Sequence, residues 1–273
     1  MRAAGTSVAI AVVMAILRVP FPTSAIAQAP TDPADPVLAA AREALGGHER
    51  LTAVRSFVAT GRTRQVQGNN LVAIEFQMSW EAPDKYVRTD EFPVQDRGPV
   101  TAGFNGAALI GAPAPARQGG PPPRGAPPPE GRGRAAPGGP ASGPDALTNI
   151  KEDLARLMLG MFAGSVSSVP LTFKYAGLAE APQGQADVLE ATGPGTFVAR
   201  FFVDKATHLP VMVSWQAGTS ESRLYFADYR AVDGVKWPLR IRRAVGAEPA
   251  EETNFDGFRI NVKIDPRRFE ARP

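Results

Sequence analysis

The chain has 273 residues, with 30 basic and 27 acidic side chains and a formal net charge of +3. Arg2 and Arg18 lie in an N-terminal stretch that reads as removable; without them the balance is 28 against 27, or +1, which excludes nucleic-acid binding by bulk charge and leaves no strong field for steering acidic ligands. Cysteine is absent, which excludes disulfides, thiolate chemistry, cysteine-ligated metals and acylation of a lipobox cysteine, and with His48 and His208 as the only histidines no His-rich metal site can form.

Met1-Arg2 precedes an apolar run from Val8 to Leu17, too short to span a bilayer, and Ala25-Ile26-Ala27 supplies small residues two apart before Gln28. This is the pattern of a secretory signal peptide, residues 1–27, with cleavage expected after Ala27. The mature protein is expected to be exported, soluble, periplasmic and not itself lipidated. Residues 28–35 read as a flexible lead, and 36–273 as a single domain. Asp35-Pro36 offers an N-cap and a first-turn proline for a helix whose apolar side is Val37, Leu38, Ala41 and Leu45, stopped by Gly46-Gly47. Leu51 to Val54 leads into a strand near Ser56–Gly61.

Val72, Ile74, Phe76, Met78 and Trp80 alternate with mostly polar neighbours, the period of a strand with one apolar face. Gly68-Asn69-Asn70 predicts a hairpin before it, Pro83-Asp84 breaks it, and Tyr86–Phe92 reads as the next strand. Phe104-Asn105-Gly106-Ala107 reads as another turn. From Ala112 to Asp145 there are eleven prolines, eight glycines and no aromatic residue, so this insertion cannot bury enough apolar area to offset its ordering entropy and is expected to be disordered. Asp145 then caps a helix to about Phe162, with Leu147, Ile150, Leu154, Leu157, Met158 and Met161 as its stripe.

Beyond Val169 the chain reads as strands and turns. Phe197, Ala199, Phe201 and Val203 alternate with polar or outward positions, and Val211–Gln216 and Arg223–Tyr229 follow. Asp233-Gly234 is a two-residue hairpin signal. Trp237, Leu239 and Ile241 alternate with Arg240 and Arg242, and Arg240, Arg242 and Arg243 read as a solvated face able to meet an acidic partner. The expectation is nine or ten strands and two or three helices. Short turns imply antiparallel pairing, and the helices are expected to fill the apolar, concave side of one curved sheet.

In this order the turns resemble the LolA/LolB-like superfamily. The resemblance is carried by Trp80-Glu81-Ala82-Pro83-Asp84-Lys85-Tyr86-Val87-Arg88, by Phe104-Asn105-Gly106, by Val203-Asp204-Lys205-Ala206-Thr207-His208-Leu209-Pro210, and by Asp228-Tyr229-Arg230-Ala231-Val232-Asp233-Gly234-Val235-Lys236-Trp237-Pro238. It implies a mainly β (α+β) fold, an unclosed antiparallel half-barrel with an α-helical lid on its concave face. It also implies carriage of bacterial lipoproteins or related acyl chains, and the missing lipobox cysteine leaves the soluble carrier type rather than the acceptor type. On that reading the cleft is lined by Val72, Ile74, Phe76, Met78, Trp80, Met158, Met161, Phe201, Met212 and Trp215. The expected partner is a lipid or acylated lipoprotein, with an inner-membrane release complex or another envelope protein beside it; no cofactor, metal or nucleic acid is implied, and the chain is expected to be a monomer. An envelope interaction or stress-regulatory module with a self-filled cleft is the alternative.

No catalytic machinery is expected. No Ser stands in a Gly-x-Ser-x-Gly elbow and no Gly-rich phosphate loop precedes a helix. Glu75, Glu81, Asp84 and Asp90 are close in sequence, as charged strand edges routinely are.

Overall fold

The computed structural model describes residues 33–95, 98–111, 144–181 and 184–270. The expected signal peptide and most of the Pro/Gly-rich insertion, with residues 28–32, lie outside the described residues.

Helix α1 (Ala34–Ala44) starts the described chain. The sequence places Asp35 at its cap; the helix instead begins two residues earlier, with Pro33 at the cap position and no side-chain cap bond, so Ala34 and Asp35 are helical rather than part of a flexible lead. Ala34 is buried, and its packing fixes the first turn, where the Asp35 carboxylate complements the helix dipole. A six-residue helix α2 (His48–Ala53) occupies the stretch read as a lead-in to the first strand.

Twelve strands follow, two or three more than expected: β1 (Ser56–Gln67), β2 (Asn70–Glu81), β3 (Lys85–Glu91), β4 (Val100–Asn105), β5 (Ala108–Gly111), then helix α3 (Pro144–Phe162), then β6 (Thr172–Ala181), β7 (Gly184–Thr192), β8 (Val198–Asp204), β9 (Pro210–Ala217), β10 (Ser220–Val232), β11 (Val235–Val245) and β12 (Glu248–Ile260). They form one antiparallel sheet in the order β5-β4-β3-β2-β1-β12-β11-β10-β9-β8-β7-β6. The chain therefore walks outward from β1 to one edge, crosses by α3, and walks back from the other edge to β12, which pairs with β1 at the centre. The edges β5 and β6 do not pair, so the sheet stays open.

The turns carry the expected chemistry. Asp233 and Gly234 have φ of 49° and 80°, the left-handed pair that a two-residue hairpin requires. The Asp204 carboxylate accepts from the Thr207 backbone N–H at 2.7 Å and from its hydroxyl at 2.6 Å, closing the turn that holds exposed His208 at φ 57°.

One face of the sheet holds the main core. Trp237 is fully buried, stacked on Phe258 with ring centroids 4.4 Å apart and met edge-on by Phe57 and Phe162. Helices α1 and α3 bury their apolar sides here through Leu38, Ala41, Leu154, Met158 and Met161. The other face is not wholly solvated, contrary to the expectation of a single covered side. Val58, Val87 and Ile110 lie along one row across β1 to β5, and Ile264 and Phe269 of the C-terminal segment cover them. A third cluster, of Val188, Phe202, Val211 and Met212, lies on β7 to β9.

Candidate functional site

Helix α3 is the element that makes a site. It packs on β4 and β5 at one side of the opening and on β9 and β11 at the other. Its C-terminal end is firmly tied. Tyr229 on β10 places its hydroxyl 2.8 Å from the Gly160 carbonyl oxygen and 2.9 Å from that of Pro210, and Arg42 of α1 donates from Nε to the Ala163 carbonyl at 3.1 Å. These contacts satisfy carbonyls that a helix end leaves without intrahelical partners. Gly160 has no side chain because the Phe226 ring occupies the space: a Cβ there would lie 2.1 Å from a ring carbon. The N-terminal half carries an ion pair from Lys151 to Asp84 at 3.5 Å, with the Lys151 ammonium 5.0 Å from the Phe104 ring centroid.

Between the middle of α3 and the sheet lies a cavity of about 230 Å³. Ile150, Leu154 and Leu157 form its roof, and Met78, Ile241 and Phe255 are apolar parts of its floor. Strand parity explains the floor. Met78 lies opposite Arg88 and beside Ala59, Ile241 lies opposite Thr253, and Arg243 opposite Glu251, so these positions share the concave face. Toward the turns β1–β2 and β11–β12 the same face becomes ionic. Arg88 donates from Nε to Asp90 at 2.6 Å and from Nη2 to Thr63 Oγ1 at 3.2 Å, with its guanidinium 4.4 Å above the Phe76 ring centroid. Burial works against the Arg88 charge, but Asp90 outweighs it and the guanidinium is held more firmly protonated than usual. The Tyr86 phenol, also on the wall, is pushed up to about 12 by burial.

Two further arginines meet at Trp215. Arg156 of α3 lies 4.7 Å from its ring centroid and is paired to Glu152 at 2.6 Å and Asp153 at 2.9 Å. Arg243 lies 5.7 Å from the ring, and its buried Nε has no hydrogen-bond partner among the described residues. The sequence reading put Arg243 on the solvated face with Arg240 and Arg242. It belongs instead to the concave face, because it continues the Trp237, Leu239, Ile241 phase before a register shift between Arg243 and Ala244.

Of the ten residues expected in the cleft, Met78 and Trp215 line the cavity. Phe76 and Trp80 share its face but are spent on packing: Phe76 meets Phe255 edge-on at 5.4 Å and Trp80 stacks on Phe57 at 5.5 Å. Met158, Met161 and Phe201 are fully buried core. Val72 and Ile74 join Phe92 in a separate cluster near the hairpin end. Met212 is a correction: it faces away from the cleft, opposite Phe202 and Tyr225 in the register, while Val213 and Trp215 face inward. Tyr86, Arg88, Asp90, Glu251 and Thr253 were not anticipated, although alternation from Tyr86 to Asp90 placed them in phase with Met78.

Among the described residues no group of three or more His, Cys, Asp or Glu side chains is arranged to hold a metal, and no helix is long and apolar enough to cross a membrane.

An open antiparallel half-barrel with an α-helix laid across its concave face is a LolA-like fold. A LolA superfamily protein from Nitrosomonas europaea matches it with a TM-score of 0.53 at 11% identity, covering 87% of this chain and 97% of that one. A DUF1329 family protein from Desulfovibrio piger matches with a TM-score of 0.49 at 11% identity, over 88% and 98% of the two chains. An outer membrane lipoprotein-sorting protein domain from Vibrio parahaemolyticus gives 0.48 at 12% identity, over 86% and 97%. No family model and no curated protein matches the sequence.

Proposed function

We propose that this is an exported periplasmic binding protein that carries the acyl chain of a lipid or lipoprotein between α3 and the concave face of the sheet, without catalysing a reaction on it. The observation that carries the reading is the cavity under the middle of α3, with Met78, Leu154, Leu157, Ile241 and Phe255 in its apolar wall. At about 230 Å³ it is smaller than the roughly 300–1,000 Å³ of pockets that enclose a drug-sized ligand. A long chain therefore enters only as this part of α3 moves away. Each methylene transferred from water contributes about 0.8 kcal/mol, so about eight of them supply ~6 kcal/mol toward that movement. The likeness to a LolA superfamily protein supports the reading at the level of fold.

Full burial of Met158, Leu159 and Met161 favours a second reading, an envelope interaction module whose cleft is filled by its own helix. Native and denaturing mass spectrometry of the protein recovered from the envelope of cells expressing the full chain separates the two. A lipid or acylated peptide released on denaturation is the expected result. A protein that arrives empty and takes up no fluorescent fatty acid would overturn the carrier in favour of the self-filled module.

A further inference from the structure

The ionic end of the cavity carries information about the ligand that the apolar wall does not. Its wall contains two cations, Arg88 and Arg243, and three carboxylates, Asp90, Asp153 and Glu251. Arg88 and Asp90 neutralise each other at 2.6 Å, and Asp153 is neutralised by Arg156 at 2.9 Å. Arg243 and Glu251 remain. Among the described residues neither forms a close ion pair or a hydrogen bond: Arg243 lies on the face of Trp215, and Glu251 acts on Arg88 only through its charge at longer range. They are directly opposite each other on β11 and β12, where side chains start about 5 Å apart. Arg156 is shared between Glu152 and Asp153, so the end of the cavity is not cationic overall, and Arg243 and Glu251 are the two wall charges of opposite sign with no close ion-pair partner among the described residues.

Resting on the acyl-chain reading above, we infer that the ligand is an amphiphile with a zwitterionic aminoalkyl-phosphate head, its phosphate on Arg243 and its ammonium on Glu251. A purely anionic head would gain Arg243 but bring its charge against Glu251 and Asp153. A neutral head would leave the buried Arg243 Nε without a partner, which is costly where water is scarce. A guanidinium with a free edge suits phosphate, because its N–H groups fit two phosphate oxygens at once. The short carbon bridge of an aminoalkyl phosphate matches the spacing of two directly opposed side chains.

The test is a binding series with the full chain recovered from the envelope, delipidated, and titrated with lipids of identical acyl chains. Phosphatidylethanolamine is expected to bind about tenfold more tightly than phosphatidylglycerol and than diacylglycerol. Arg243→Gln is expected to abolish the preference over diacylglycerol, and Glu251→Gln to move the preference toward phosphatidylglycerol. Far-UV circular dichroism and thermal melting check that both variants fold; the wild-type series stands without them. Equal affinity for the three lipids overturns the head-group inference and leaves acyl binding standing. Tightest binding of phosphatidylglycerol overturns the zwitterion. Failure of all three to bind overturns the acyl reading itself. Free phosphoethanolamine is expected not to displace the lipid, and displacement by it would mean that a soluble phosphate ester, not an amphiphile, is the ligand.

Discussion

The Tyr229 hydroxyl reaches across from β10 to the Gly160 carbonyl oxygen of α3 at 2.8 Å, and the same hydroxyl lies 2.9 Å from the Pro210 carbonyl oxygen. One hydroxyl proton is shared between two acceptors, so this contact ties helix, β9 and β10 at a single point. With Arg42 on the Ala163 carbonyl and Phe226 filling the space beside Gly160, the C-terminal end of α3 is fixed to the sheet. The cavity lies under the middle of the helix, from Ile150 to Leu157. The lid is thus a lever with a fixed end, and the turns carrying that end are the ones legible in the sequence as Asp228 to Pro238.

Removing the anchor tests the lever. Tyr229→Phe is expected to cost about 1–2 kcal/mol, since it leaves the Gly160 and Pro210 carbonyls without that donor. Amide exchange should quicken first in residues 155–162. Gly160→Ala should be worse, because its methyl group meets the Phe226 ring rather than open space. Urea unfolding with residue-resolved hydrogen exchange measures both. Uniform acceleration across the sheet would mean that Tyr229 is only a core residue.

The opposite end should respond differently. Lys151 and Asp84 are 3.5 Å apart with side chains 19% and 30% exposed, so their pair contributes at most about 1 kcal/mol. Lys151→Met is expected to leave the melting temperature almost unchanged and to speed uptake of a fluorescent fatty acid. Stopped-flow fluorescence reads the rate. An unchanged rate together with an unchanged melt would place the moving part elsewhere.

Much of this architecture was written in the sequence. The period-two run from Val72 to Trp80 is one strand face, and the Asp233-Gly234 hairpin forms where its residues demand left-handed backbone. The helical stripe from Leu147 to Met161 did find the concave face. The edge strand β6 was harder, since its alternation from Thr172 to Ala181 contains few large apolar side chains to announce it. The site was less legible than the fold. Alternation assigns Phe76, Met78 and Trp80 to one face but does not say which of them α3 covers, and Met78 alone reaches the cavity. Arg243 is a charged residue on an inward phase. Charge argued for solvent and phase argued for the interior, and phase was correct. Met212 failed for the reverse reason: an apolar side chain on an outward phase, kept from water by Phe202 and Val188.

Alkaline stability should report on Tyr86. Burial, the largest influence, pushes its phenol up to about 12, against an ordinary value of 10.0; Arg88 pulls the other way, and Asp90 and Asp153 push with burial. Folding therefore favours the neutral phenol. That contribution is complete below about pH 10 and is lost as the pH rises from about 10 to about 12, up to a limit of roughly 3 kcal/mol. Tyr86→Phe has no proton to lose there. Urea midpoints for both proteins between pH 9 and pH 11.5 should diverge, the wild type falling faster; parallel loss would show that the phenol is wetter than its surroundings imply.

Enlarging the cavity is the sharpest test of where a chain is seated. Leu157 forms part of the roof and is only half-buried, whereas Leu159, two residues on, is fully buried against the core and does not line the cavity. Leu157→Ala is expected to cost about 2 kcal/mol of stability and Leu159→Ala about 3 kcal/mol, both by removing buried carbons that the surroundings cannot replace. Their effects on ligand should differ in sign. Space opened at Leu157 adds to a cavity that is tight for an acyl chain, so a fluorescent fatty acid should bind more firmly despite the weaker fold. Space opened at Leu159 is walled off by the helix itself and should bring no gain. If both variants lose affinity in step with their stability, the chain does not sit under the middle of α3, and the cavity is an ordinary packing defect beneath a closed helix.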